Sequence, residues 1–192
     1  MKTICVITPT ISRPTLRKAL ISARLAPEDE WIVVGDGPQP EAEAVVESLA
    51  IIPYLHYIEG PLTHKKGNEQ RDLGMSLSYK DYFLFMDDDD EFVPGAIDIV
   101  RRHLTELPGP RPIVFRMHHN EHVIWTSRML EPGNVGTSMF CIPNVPGRLG
   151  KWSGWPNPQT SDLEFLNDTL RYWDAKSDLI WSGDVIARHS SG

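Results

Sequence analysis

The chain has 192 residues, 41% of them hydrophobic and 23% charged, with 19 basic against 26 acidic side chains and a net charge of −7. That balance is ordinary for a globular domain, large enough to bury about 70% of its unfolded surface without a disulfide or metal staple. The negative charge disfavours broad attachment to nucleic acid or anionic lipid, no apolar run is long enough to span a bilayer, and Lys2 leads into a strand with no leader-like cleavage site.

Ile4 to Thr8 is predicted as a short strand, and Pro14 to Ala23 as a helix opened by Ser12 and Pro14. Trp31 to Val34 reads as a second strand, ended by the turn signal Gly35-Asp36-Gly37-Pro38. Glu41 to Leu49 (helix), Tyr54 to Ile58 (strand), Lys66 to Ser78 (helix) and Tyr82 to Met86 (strand) complete a βαβαβαβ series. Such alternation predicts an α/β fold with a mostly parallel central sheet covered by helices, whose ligands bind beyond the carboxyl ends of the strands. Thr8-Pro9-Thr10, Asp36 and Asp87 to Asp89 all fall at predicted strand ends, so three polar sites converge on one edge.

The second half is less regular. Pro94 to Leu107 is predicted as a helix, Ile113 to Met117 and Val123 to Thr126 as an antiparallel hairpin, and Gly136 to Ile142 as a strand. The proline- and glycine-rich stretch from Pro143 to Thr160 reads as a loop that orders around a ligand. Ser161 is expected to cap a helix running to about Tyr172, with Glu164 in the capping-box position, and a last strand, roughly Leu179 to Ala187, precedes His189. No repeat or linker divides residues 1–192, so a single domain is expected. Cys5 and Cys141 lie far apart in strand-like stretches and read as reduced, buried thiols of a cytoplasmic protein.

The acidic run Asp87-Asp88-Asp89-Asp90, followed by Glu91, carries the most chemistry. Like charges about 5 Å apart repel by roughly 3 kcal/mol at an effective dielectric of 20, so a strand end bearing this cluster calls for a cation. Alternation along the strand sends Asp87 and Asp89 to one side and Asp88 and Asp90 to the other, giving a two-carboxylate site for a hard divalent ion. Basic groups lie at His64-Lys65-Lys66 with Arg71 and at Arg13, Arg17 and Lys18, as phosphate contacts or as solvated helix faces. His118-His119-Asn120-Glu121-His122 suggests zinc, but four residues along a strand span about 13 Å, too far for a shared ion, so a hairpin tip is expected.

Four segments together give the chain a resemblance to the GT-A glycosyltransferases of family 2: Val6-Ile7-Thr8-Pro9-Thr10 with Arg13-Pro14; Val33-Val34-Gly35-Asp36-Gly37; Gly67-Asn68-Glu69-Gln70-Arg71-Asp72-Leu73-Gly74; and Phe83-Leu84-Phe85-Met86-Asp87-Asp88-Asp89-Asp90. The resemblance implies a GT-A, Rossmann-like three-layer sandwich with a nucleotide-binding half, 1–107, and an acceptor-binding half, 108–192. It implies that Thr8, Pro9, Thr10 and Asp36 hold a nucleotide base, usually uracil, whose imide hydrogen a carboxylate can accept. Arg71 would bind the nucleotide; Asp72 stands where the family usually has asparagine. In the acidic motif the resemblance implies that Asp87 serves ribose and metal while Asp89 ligates Mn²⁺ or Mg²⁺; Asp88 is able to exchange roles with Asp87, since four aspartates leave the register open. His189 stands where some GT-A enzymes complete the metal site.

On the acceptor side, Thr160-Ser161-Asp162-Leu163-Glu164 takes the place of the family's acid pair at a helix start. Asp162 is the candidate general base and Glu164 its alternate, although acids also suit the positive end of a helix dipole. Trp152 and Trp155 are candidates for stacking on an acceptor, or else for packing the loop down. The expected activity is metal-dependent inverting transfer from a UDP-sugar to a hydroxyl whose bearer the sequence does not specify. A sugar-phosphate nucleotidyltransferase is the competing enzyme reading, although Thr8 to Arg13 lacks the glycines of its phosphate loop; a nonenzymatic nucleotide-sugar or carbohydrate-binding module is the third.

Overall fold

The computed structural model describes residues 1–120, 122–124, 126–155, 157 and 159–189. Its centre is a mixed sheet with strand order β3-β2-β1-β4-β8-β6-β9-β5. The first half supplies β1 (Ile4–Thr10), β2 (Glu30–Gly35), β3 (Leu55–Glu59) and β4 (Tyr82–Phe85), all mutually parallel, joined through α1 (Leu16–Ile21), α2 (Pro40–Ser48) and α3 (Asn68–Leu77). Every residue of β1 is buried although its side chains alternate between faces. Both faces at the centre are therefore covered, as a parallel sheet requires.

The second half continues the sheet with β5 (Asp90–Phe92), α4 (Ala96–Glu106), β6 (Ile113–His119), β7 (His122–Ile124), β8 (Phe140–Pro143), α5 (Ser161–Leu170) and β9 (Ile180–His189). β8 runs antiparallel to β4 and to β6, β9 lies parallel to β6, and β5 closes the edge antiparallel to β9. The expected hairpin is β6–β7, pairing His119 with His122 across a turn whose Asn120 has φ +53°; Glu121 lies outside the described residues. Helix α4 buries Ala96, Ile97, Val100 and Leu104, one stripe at helical spacing.

Three expectations change. The predicted strand 136–142 opens instead as a 3-10 turn, Thr137–Met139, before β8. The cap of α5 is Thr160 rather than Ser161, with no side-chain capping bond, so the capping box does not form. Strand β5 starts within the acidic run, beyond the predicted strand Tyr82 to Met86, where no further strand is expected; it exists because its backbone pairs Asp90 with His189 and Phe92 with Ala187. Within the parallel half, Gly74 of α3 packs so closely on β1 that a Cβ there would lie 2.6 Å from Ile7 Cγ2.

Candidate active site

Because β1, β2 and β4 are parallel, their carboxyl ends lie together, and a cleft of about 420 Å³ opens there. Pro9, Thr10, Asp36, Gly67, Arg71 and Asp87 to Asp89 line it, with Arg13, His64 and Lys66 as its basic rim. The ladder continues past β2, since the Asp36 N–H donates to the Thr10 carbonyl at 2.9 Å, which sets these two candidate nucleotide residues side by side. Gly67 caps α3 at φ +80°, and a Cβ would come within 2.5 Å of Pro9, so only glycine lets the helix start approach β1 this closely.

Asp36 is buried and organises the loop over the cleft. Its Oδ1 accepts from the Thr63 N–H at 2.6 Å and from Gln70 Nε2 at 2.9 Å, and its Oδ2 accepts from the His64 N–H at 2.9 Å. Acceptor capacity remains on Oδ2 for a ligand. Thr8, by contrast, does not reach the cleft. It is fully buried, and its Oγ1 accepts from Trp31 Nε1 at 3.0 Å because residue 8 projects into the core, two positions before the strand end. The candidate set at the first strand therefore reduces to Pro9 and Thr10.

The four aspartates separate by burial. Asp87 and Asp89 are partly exposed, with side-chain exposures of 32% and 30%, whereas Asp88 and Asp90 are buried at 4% and 7%. Asp88 is turned toward β1 and α1, accepting from Thr10 Oγ1 at 2.8 Å, from the Ile11 N–H at 3.2 Å and from Arg13 at 2.8 Å. Burial pushes its carboxyl up, opposed by the Thr10 hydrogen bond and the Arg13 charge. These bonds make Asp88 a brace for the strand end and remove it as an exchangeable partner of Asp87. Arg13 also reaches Asp89 Oδ2 at 2.7 Å.

Asp87 pairs with the buried Arg71 guanidinium, whose other nitrogen donates to the Lys66 carbonyl at 2.9 Å. The clustered metal-ligand atoms are instead those of Asp89, Asp90 and His189, mutually within 4.8 Å. Arg71 draws Asp87 away, and the β5–β9 register brings His189 in. Carboxylate oxygens with one imidazole suit Mn²⁺, and less strictly Mg²⁺, so the donor set fits the expected ion. Asp90 lies well above the usual carboxylate range through burial and the neighbouring Asp87 charge, against hydrogen bonds from Ser138 and His189.

Asp162 stands in the first turn of α5, and its Oδ1 accepts from Thr137 Oγ1 at 2.8 Å. Burial pushes its carboxyl up; the nearby Arg71 charge pulls it down, Asp87 raises it, and the Thr137 hydrogen bonds lower it again. Asp162 is tied to the acidic run through the Thr137–Ser138 turn, since Ser138 bonds both Asp90 and the Asp87 N–H. Glu164 occupies the same turn, half-buried. The 3-10 turn thus serves two acids at once, Thr137 holding Asp162 and Ser138 donating to Asp90 Oδ2 at 2.6 Å. Sequence reasoning missed both hydroxyls: a Thr-Ser pair before a strand carries no signal until the fold brings it to the site.

Trp152 is a packing residue, fully buried and stacked on Phe165 of α5 at 4.1 Å and 10°. Its other neighbours are Phe85, edge-on at 5.0 Å, and the Arg71 guanidinium, 4.8 Å from its ring centre. It therefore presents no face to an acceptor. Trp155 is half-buried and donates its Nε1 hydrogen to the Lys151 carbonyl. Nor does the loop wait for a ligand: Asp72 accepts the N–H groups of Trp152 and Ser153, one on each carboxylate oxygen, both at 2.9 Å. An asparagine would offer one acceptor oxygen, which explains the acid at this position. Pro156 and Pro158 of this loop lie outside the described residues. His118 and His122 join no metal cluster among the described residues, while the His119 ring stacks on His189 at 5.3 Å.

A mixed sheet flanked by helices, with a cleft at the carboxyl ends of its parallel strands and acids just past β4, is the architecture of the GT-A transferases. The chain belongs to glycosyl transferase family 2, whose profile matches residues 5–159. Among solved structures it is similar to S. aureus TarS, with 14% identity and a TM-score of 0.74 over 100% of this chain and 37% of that one. The TarS 1–349 complexes with UDP-GlcNAc (12% identity, TM-score 0.74) and with UDP (13%, 0.75) are likewise matched over 100% of this chain, and over 59% and 61% of theirs. At these identities the likeness establishes the fold, and the chain spans 37% to 61% of the length of these structures. A comparison with curated protein sequences gave no significant match. Among the described residues no helix is long and apolar enough to cross a membrane.

Proposed function

We propose that the chain is the catalytic domain of an inverting glycosyltransferase, dependent on Mn²⁺ or Mg²⁺, that moves a sugar from a UDP-sugar to an acceptor hydroxyl. The observation that carries this reading is the meeting of the 420 Å³ cleft, lined by Asp87 to Asp89, with the Asp89–His189 pair and with Asp162, which the Thr137–Ser138 turn links to Asp90 and the Asp87 N–H. Family membership and the TarS complexes with UDP-GlcNAc and UDP support the class of donor.

In this reading Pro9, Thr10 and Asp36 hold the base, Arg71 fixes Asp87 toward the ribose, and Asp89 with His189 holds the divalent ion. Such an ion supplies positive charge against the negative charge that develops on a departing diphosphate. Asp162 accepts the acceptor hydroxyl proton as that oxygen forms its bond to the anomeric carbon and the bond to the diphosphate breaks on the opposite face, which inverts the centre. Glu164 and Trp155 stand on the acceptor side of the base.

Hydrolysis of a panel of UDP-sugars, followed by mass spectrometry, tests the reading without knowledge of the acceptor. Asp162→Asn should lose turnover by roughly 100-fold or more, the usual worth of a positioned base, while still binding UDP. Full activity in that variant removes Asp162 from the mechanism. Release of pyrophosphate from UTP and a sugar phosphate would make the chain a nucleotidyltransferase.

A further inference from the structure

We infer that Asp90 is a positioning residue that orients His189 for the divalent ion and is not itself a ligand of that ion, an assignment resting on the metal-dependent reading above. Both Asp90 carboxylate oxygens already accept hydrogen bonds. Oδ1 lies 2.9 Å from His189 Nδ1, and Oδ2 takes the Ser138 hydroxyl at 2.6 Å. The carboxylate is buried, its side chain 7% exposed against 30% for Asp89.

The geometry selects the tautomer of His189. The Nδ1 edge of the ring is occupied by Asp90, so Nε2 is the nitrogen left for the ion, and with the divalent charge bound beside it Asp90 is acceptor-only and Nδ1 carries the hydrogen. Carboxylates behind metal-ligating imidazoles do this generally, fixing ring orientation and raising ligand basicity. The backbone enforces the pair, since β5 and β9 run antiparallel with Asp90 directly opposite His189. The His119 ring, stacked at 5.3 Å with a 23° tilt, limits rotation of the imidazole from one face. Ser138 completes the brace from the 3-10 turn, its Oγ accepting from the Asp87 N–H at 3.4 Å while donating to Asp90. Of the three clustered residues, the ion's own ligands are then Asp89 and His189.

The test is a double-mutant cycle on Mn²⁺ affinity, read from the EPR signal of free Mn²⁺ with the folded chain and saturating UDP. Asp90→Ala should weaken Mn²⁺ binding by roughly 10- to 100-fold, the usual cost of losing such a partner. Ser138→Ala should weaken it in the same direction by less. In the His189→Ala background, Asp90→Ala should add nothing, because a residue acting through the imidazole has nothing left to act on. Pulsed EPR should show a ¹⁴N coupling to bound Mn²⁺ that is lost in His189→Ala and altered in Asp90→Ala. Additive losses in the cycle, or unchanged affinity in both Asp90→Ala and Ser138→Ala, overturn the assignment while leaving a metal site intact. Absence of Mn²⁺ binding by the unmutated chain with UDP would defeat the metal-dependent reading itself. Should Asp90→Ala fail to fold, Ser138→Ala and its combination with His189→Ala decide the matter, since that change removes one hydroxyl only.

Discussion

At the scale of single residues, Asp162 shows a conflict between stability and chemistry. Its carboxyl is raised by burial, so the folded chain binds a proton more tightly there than the unfolded chain does. The stabilising contribution is therefore complete below the unfolded value, about 3.9, and is lost as pH rises through the higher folded value. At neutral pH Asp162→Asn should consequently unfold at a slightly higher temperature than the parent chain even as it loses turnover; a lower melting temperature would mean the charge is favourable there. Activity in the proposed mechanism runs the other way, since Asp162 acting as the base must be ionised. The Thr137 hydroxyl favours the carboxylate, so Thr137→Ala should move the acidic limb of the hydrolysis pH profile upward, with the greatest loss of rate at acidic pH. A profile that only scales down at every pH would deny Thr137 this role. The sequence alone made the alternation of the aspartates readable, and the burial of Asp88 and Asp90 follows it. Which acid faced which partner was not readable, because Thr10 with Arg13, Ser138 and His189 come from three separate segments.

At the scale of elements, α3 and the loop before α5 behave as one unit. Successive residues of α3 do different work: Arg71 pairs with Asp87 on the donor side, and Asp72 holds the backbone of Trp152 and Ser153. Trp152 lies between Arg71 and Phe165 and so connects the donor cleft to the helix that carries Asp162. Removing a buried indole of this kind costs roughly 3–5 kcal/mol from lost burial and the cavity left behind. Trp152→Ala should show that loss in urea denaturation, with Trp152→Phe recovering part of it; a change below about 1 kcal/mol would contradict the packing described. The apolar strands and amphipathic helices of the first half were legible because their periodicity is strong. Strand β5 was not, for its first two residues are acids and only pairing with β9, nearly a hundred positions away, makes it a strand. Trp152 was ambiguous for a related reason: a tryptophan in a proline- and glycine-rich loop looks the same in sequence whether its ring faces a sugar or the core.

At the scale of the whole molecule, the sheet joins two kinds of pairing with different consequences for the site. The parallel half places Pro9, Thr10, Asp36 and Asp87 at one edge through local βα connections, and that edge was visible in the sequence. The mixed half adds Asp90, His189, Thr137 and Asp162 through long-range strand pairings and hydrogen bonds that no local pattern announces. In the proposed reading a chain of net charge −7 binds an anion at an acidic strand end. The basic rim of Arg13, His64, Lys66 and Arg71 offsets part of this, but Arg13 and Arg71 are already engaged by Asp88, Asp89 and Asp87. Under the proposed function a further cation would be required by the diphosphate, so nucleotide and metal should stabilise the fold jointly. At about 100 times its dissociation constant a ligand adds roughly 2.7 kcal/mol, which for a chain of this length corresponds to a melting-temperature rise of about 5–10 °C. UDP with Mn²⁺ should give a rise of that order in a thermal melt, and chelation with EDTA should collapse it. An equal rise in EDTA would mean that the arginines and lysines bind the diphosphate alone, and the electrostatic argument for a divalent ion would fail with it.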